Sequence, residues 1–237
     1  MEKAPLIELH GITRTYQLGK TDVVALRGVD LLVREGEFTV ITGPSGSGKT
    51  TLLNIIGCLD RASSGSYRLD GEDITGRDFD ALADIRNRKI GFIFQSFNLI
   101  PVLDVTENVE FPIAVRKNAD KPPELRTRVN ALAQDVGLGP YLHHKPDELS
   151  VGQRQRVAIA RALITEPRLV LADEPTANLD SATSDQILDL MVKLNQEKRV
   201  TFLFSSHDPR VVRRARRVLQ IQDGRMVPER GALEVHA

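Results

Sequence analysis

The stretch Gly43-Pro44-Ser45-Gly46-Ser47-Gly48-Lys49-Thr50 has the residue types and the spacing to hold phosphate. It follows G-x-x-x-x-G-K-[ST], in which glycines let successive backbone N–H groups curl around anionic oxygens. Lys49 would reach the β and γ phosphates, and the Thr50 hydroxyl would ligate Mg²⁺, with Thr51 beside it as a further nucleotide contact. The implied ligand is a nucleoside triphosphate.

Two other groups could act on such a ligand. The apolar run from Arg168 closes on Asp173-Glu174-Pro175. Next to a phosphate loop, the first carboxylate can hold Mg²⁺ through water, and the second can orient and deprotonate an attacking water. Alone, the same pair simply caps a strand before a proline turn. Further back, Leu149-Ser150-Val151-Gly152-Gln153 precedes a helical pattern, with Ser150 placed as its N-cap. A capped helix start is ordinary, but it is also a second anion site. One nucleotide does not need two such sites in one chain, whereas two copies facing each other would use both. Gln95 and His207, read alone, are polar residues closing strands, and Tyr16 is either a half-buried strand tyrosine or an aromatic face for a purine.

The elements around these residues position them. Glu37–Thr42 reads as a buried strand entering the loop, and Leu52, Ile55, Ile56 and Leu59 repeat at helical spacing after it. Strand patterns occur at Leu6–His10, Val29–Val33, Tyr67–Asp70, Ile90–Phe94, Leu169–Ala172 and Thr201–Phe204, with turns at Gly19–Asp22 and Glu35–Glu37. Phe97–Phe111 reads as an apolar loop, broken by Pro101 and closed by Pro112. Leu125, Val129, Leu132, Ala133 and Val136 form a helical stripe stopped by Gly137, and Ile187, Leu190, Met191 and Leu194 form another. The expected fold is α/β: a phosphate-loop core with a mostly parallel sheet, an N-terminal antiparallel β region and an inserted helical subdomain. Residues 1–95 and 155–237 make the core, and 96–154 the helical insert.

Composition narrows the setting. The 237 residues carry 27% charged side chains that balance to zero, so no global field draws the chain to nucleic acid or anionic lipid. Cys58 is the single cysteine and reads as a core residue in a reducing compartment. The N-terminus lacks the apolar run of a signal peptide, and no apolar run approaches a bilayer span. A membrane role would have to come through a partner.

The phosphate loop, Gln95, Leu149–Gln153, Leu169–Glu174, Ala177-Asn178-Leu179-Asp180 and His207, in this order and spacing, resemble the ATP-binding-cassette ATPases along essentially the whole chain. The resemblance implies a head-to-tail dimer sandwiching two ATP molecules. It implies that Gln95 and Asp173 serve Mg²⁺, that Gln95 also senses a membrane partner, and that Glu174 is the general base. It places Ser150, Gly152 and Gln153 on the γ-phosphate held by the opposite copy, and Asp180 across the dimer seam. It gives His207 the γ-phosphate and the attacking water, and Tyr16 the adenine. The stretches Phe92–Pro101, Leu171–Asp180 and Ser206–Pro209 are similar to the subgroup of lipoprotein-releasing and macrolide-export ATPases, with the cell-division ATPase FtsE a near relative. That implies a cytoplasmic subunit on the inner face of the membrane, driving or signalling through a separate permease.

Some features depart from the pattern or rule out rivals. Val151 stands where the family usually has glycine, and a β-branched residue would be strained there if the position needs φ > 0. A GTPase would need a guanine-reading Asn-Lys-x-Asp, which is absent. A chromosome ATPase would carry a coiled coil between Lys49 and Ser150, where no heptads run. Arg210, Arg213, Arg214 and Arg217 read as one helical face, solvated or touching lipid headgroups. His143-His144 has no companion ligands at metal spacing.

Overall fold

The computed structural model describes residues 5–116 and 124–228. The reading of the extreme N-terminus therefore falls partly outside the described residues. In chain order the elements are β1 (Pro5–Leu18), β2 (Thr21–Arg34), β3 (Phe38–Thr42), α1 (Lys49–Ile56), β4 (Ser64–Leu69), β5 (Glu72–Asp73), α2 (Phe79–Lys89) and β6 (Ile90–Ile93). Then come α3 (Val105–Ala114), α4 (Leu125–Asp135), α5 (Val151–Leu163), β7 (Leu169–Asp173), α6 (Ser181–Lys198), β8 (Thr201–Ser205), α7 (Pro209–Arg214), β9 (Arg217–Gln222) and β10 (Arg225–Val227).

Strands β3, β7 and β8 are almost continuously apolar because both faces of their sheet are covered. That sheet has the order β10-β9-β3-β8-β7-β6, parallel except for the β9–β10 pair. A second sheet, β2-β1-β4-β5, is antiparallel throughout. Alternate residues of the parallel sheet enter opposite cores. Phe38, Val40, Phe202 and Phe204 join α3–α6 in one, while Ile41, Leu171, Leu203 and Leu219 join α1 and the antiparallel sheet in the other. The register sets Ile41 and Asp173 each opposite Ser205, so the loops after β3, β7 and β8 leave the sheet at one edge. Among the described residues, no strand lies between Ile93 and Leu169.

Three expectations are corrected. α1 stops at Ile56, because Cys58 takes a left-handed backbone (φ 56°) and the Leu59 N–H turns back to the Asn54 carbonyl. Leu59 is thereby carried off the apolar stripe and exposed. The supposed loop Phe97–Phe111 contains helix α3. Asp104 accepts from Glu107 N at 2.8 Å while the Glu107 carboxylate accepts from Asp104 N at 2.9 Å, and this capping box starts the helix. Pro112 lies inside the last turn of α3, where it has no N–H to give the Asn108 carbonyl, and the helix ends two residues later. Finally, α7 ends at Arg214 and Arg217 lies in β9, so the four arginines do not share a helical face. Arg210 pairs with Asp208 at 2.8 Å and Arg214 with Asp185 and Asp189 at 3.0 and 2.9 Å.

Cys58 is buried, and that burial pushes its thiol up to about 12. His143 is exposed, with Nδ1 3.4 Å from Asp104 Oδ2, and no three His, Cys, Asp or Glu residues converge at metal-binding geometry among the described residues. No helix among them is long and apolar enough to cross a membrane.

Candidate nucleotide site

β3 delivers the chain into the glycine loop, and Gly48 caps α1 at φ 106°, where an added Cβ would lie 2.8 Å from the Ala25 carbonyl of β2. Pro44, Ser45 and Gly46 are exposed, while Ser47 is buried. Lys49 arches back over Gly43, its Nζ donating to the Gly43 and Pro44 carbonyls at 2.7 and 2.9 Å. The ammonium thus lies across the mouth of the loop, where it would meet an entering phosphate. Thr51 follows Thr50 on the first turn of α1.

Thr50 Oγ1 donates to Asp173 Oδ2 across 3.4 Å, which joins the loop to the end of β7. Burial, and then the neighbouring Glu174 charge, raise the Asp173 carboxyl above its ordinary value. The Thr50 hydroxyl and the Asp173 carboxylate are hard-oxygen donors of the kind a small divalent cation takes.

Glu174 is gripped from three sides. Its backbone is left-handed (φ 44°), and its N–H donates to the Ser205 carbonyl at 2.8 Å. Ser206 Oγ donates to Oε2 at 3.0 Å, and His207 Nδ1 lies 2.6 Å from Oε1. An ionised carboxylate only accepts, so against it the ring proton belongs on Nδ1 and Nε2 is left as the other, lone-pair nitrogen. The same loop is anchored by Thr176 Oγ1, which donates to Asp208 at 3.1 Å. Gln95 lies just beyond β6, exposed, and its carbonyl accepts from Asn178 Nδ2 at 2.9 Å.

Ser150 stands apart from this cluster. Its hydroxyl accepts from Gln153 N at 3.2 Å, and Gln153 Oε1 accepts from Ser150 N at 2.8 Å, forming a capping box on the exposed start of α5. Gly152 packs against α6, where an added Cβ would lie 2.7 Å from Thr183 Cγ2. Val151 is the first helical residue and is not among the positive-φ positions. The anticipated strain is therefore absent, and the side chain points outward at 37% exposure. Asp180 caps α6, accepting from Thr183 N at 3.0 Å and Thr183 Oγ1 at 2.6 Å, and the hydroxyl bond holds its carboxyl below the ordinary value.

Tyr16 donates its hydroxyl to Asp60 Oδ2 at 2.7 Å, and the Arg14 guanidinium lies 4.4 Å from its ring centroid. Arg14 is itself fixed on Asp60 at 2.7 and 3.0 Å. Sequence reasoning missed Arg14, Asp60 and Ser206. The adjacency of Ser206 to His207 was the one available signal.

The parallel sheet, the glycine loop at its edge and the carboxylate pair beside it define an ATP-hydrolysing cassette of the phosphate-loop class. Residues 26–177 match the ABC transporter family model. The chain belongs to that family, as a nucleotide-binding ATPase subunit of the LolD and MacB type. It is 51% identical to the macrolide export ATP-binding/permease protein MacB of Syntrophobacter fumaroxidans, over 96% of this chain and 32% of that protein. It thus spans about a third of MacB's length. It is 46% identical to the lipoprotein-releasing system ATP-binding protein LolD of Anaeromyxobacter dehalogenans, over 95% of this chain and 94% of that protein. A dimeric post-hydrolysis structure of the ATP-binding cassette MJ0796, bound to ADP and Pi, superposes with TM-score 0.84 at 44% identity, covering 93% of this chain and 96% of the other.

Proposed function

We propose that two copies of this chain close head to tail around two ATP molecules, each pocket combining one copy's phosphate loop with the other's α5 N-terminus. The observation that carries this reading is the separation of two anion sites. Lys49, Thr50, Asp173, Glu174 and His207 belong to one connected edge, whereas Ser150 caps the exposed start of a helix that packs on α6. The dimeric state of the MJ0796 cassette supports it.

Within each pocket, the loop amides from Gly43 to Gly48 and the Lys49 ammonium neutralise the β and γ phosphates. Tyr16 offers the adenine the ring face that Arg14 does not cover. Thr50, Asp173 and Gln95 would hold Mg²⁺, which when bound offsets phosphate charge. Glu174 accepts a proton from the water that attacks the γ-phosphorus, and the bond to the bridging oxygen breaks, leaving ADP and phosphate. His207 keeps Glu174 oriented through Nδ1, and a second proton on its outer nitrogen would let that nitrogen donate to a γ-phosphate oxygen. Ser150, Gly152 and Gln153 of the opposite copy complete the donor set, and Asp180 crosses the seam.

The energy released drives a separate membrane permease, which places the chain peripherally on the inner face of the membrane. A groove of about 690 Å³ between α2, β6, α3 and α5 receives the permease's cytoplasmic helix. Phe92 and Phe94 stack in its wall with centroids 5.4 Å apart, and Val115 is 53% exposed on its rim. The likeness to MacB and LolD supports export of a macrolide, or release of a lipoprotein, as the work done. Glu174→Gln with MgATP tests the pairing: sedimentation should give twice the 26.3 kDa chain mass. A chain that stays single and turns over at full rate when wild type would overturn it.

A further inference from the structure

Gln155 is fully buried on α5, and its Nε2 donates to the Pro175 carbonyl at 2.9 Å. Pro175 directly follows Glu174, whose left-handed backbone and three hydrogen bonds leave that turn little slack. The start of α5 is tied to the following segment at a second point, through the tight packing of Gly152 on Thr183. Ser150 and Glu174 are therefore joined mechanically within one chain, although they serve different pockets in the pair.

Stability does not account for this amide. Gln155 Oε1 is buried with no protein donor, so the desolvation of one end offsets the bond made by the other. An apolar side chain of equal length would fill the space without that cost.

We infer that Gln155 is a positioning residue coupling the two nucleotide pockets: it holds the turn bearing one pocket's base against the helix that enters the other. Engagement of Ser150 by the partner's γ-phosphate loads α5, and the Gln155–Pro175 bond carries that load to Glu174. The inference rests on the two-copy reading given above.

Gln155→Met keeps the length and removes both hydrogen-bonding groups. The expected result is an unchanged or higher melting temperature and half-saturating ATP within about twofold. Turnover should fall about tenfold, with the Hill coefficient dropping from about two toward about one. Turnover and cooperativity that match the parent would overturn the inference, as would a parent Hill coefficient near one. A joint fall of melting temperature, affinity and turnover would make Gln155 a packing residue and overturn it too. Failure of the pairing itself is read separately: Glu174→Gln in the parent chain then stays single with MgATP. If it pairs and Gln155→Met remains cooperative, only the coupling role is lost.

Discussion

Gly48→Ala against Gly46→Ala separates close approach from backbone strain within one loop. At Gly48 (φ 106°) the new Cβ would lie 2.8 Å from the Ala25 carbonyl and 2.9 Å from Leu26 Cδ2. The carbonyl belongs to the β2 backbone and cannot swing aside, so α1 and the loop must shift by a few tenths of an ångström. A sparsely populated backbone conformation costs about 1–3 kcal/mol and overpacking about 1–3 kcal/mol more. At Gly46 (φ 75°) nothing lies within 4 Å, so only the left-handed penalty of about 1–2 kcal/mol applies. At about 2–4 °C for each kcal/mol in a domain of this size, Gly48→Ala should lower the melting temperature by about 4–24 °C and Gly46→Ala by about 2–8 °C. The moved Gly48 amide also loses a charge-assisted bond to phosphate, about 1.5–3 kcal/mol, or about 10- to 150-fold in affinity. Calorimetry of the free chain and fluorescence titration with MgATP read the two effects. If Gly48→Ala binds within about twofold of the parent and melts no lower than Gly46→Ala, the loop does not grip nucleotide through this approach.

Asp173→Asn should raise the melting temperature of the nucleotide-free chain at neutral pH while abolishing hydrolysis. A carboxyl whose folded value lies above its unfolded value favours folding when protonated and opposes it once ionised in both states. The gain therefore develops as pH climbs from the ordinary value of 3.8 through the folded one and is complete above it, and a lower melting temperature at pH 7 would contradict this. Ser206→Ala frees Glu174 Oε2 and leaves the Asp208 N–H without its acceptor, so turnover should fall about tenfold with ATP affinity kept, and Ser206→Thr should restore it. Equal turnover in Ser206→Ala and Ser206→Thr would deny Ser206 any hold on the base. Val151→Gly should leave turnover within about twofold, since only helix propensity of about 1 kcal/mol is lost at an unstrained site. A collapse would reveal a contact made by the valine in the pair.

The strand, loop and helix around Lys49 were legible because that chemistry confines residue types to a few adjacent positions. The Asp173-Glu174 strand end was legible for the same reason, once a phosphate loop was present to give it meaning. α3 was not, because Pro101, Pro112 and a continuous apolar texture hid the Asp104–Glu107 box that starts it. The strain feared at Val151 came from reading a residue type without its backbone, and the capping box already placed that residue inside the helix. Arg14, Asp60, Ser206 and Gln155 act through partners distant in sequence, which neither periodicity nor local spacing records.

The parallel register explains why one chain makes an incomplete pocket. Ile41 and Asp173 lie level with Ser205, so the loops that follow must converge, and they bring Lys49, Glu174 and His207 to one edge. Ser150 reaches the surface by another route, after the helices that follow β6, where its hydroxyl bonds within its own helix start and Gly152 packs on α6. Nucleotide bound equally by single and paired chains could not drive pairing, however tight the binding. A donor that meets the γ-phosphate only in the pair supplies the required difference. Cleavage of that phosphate removes the difference, and the pair opens. Ser150→Ala should accordingly leave ATP binding to the single chain intact while weakening the Glu174→Gln pair, and pairing of undiminished strength would place the differential contact elsewhere.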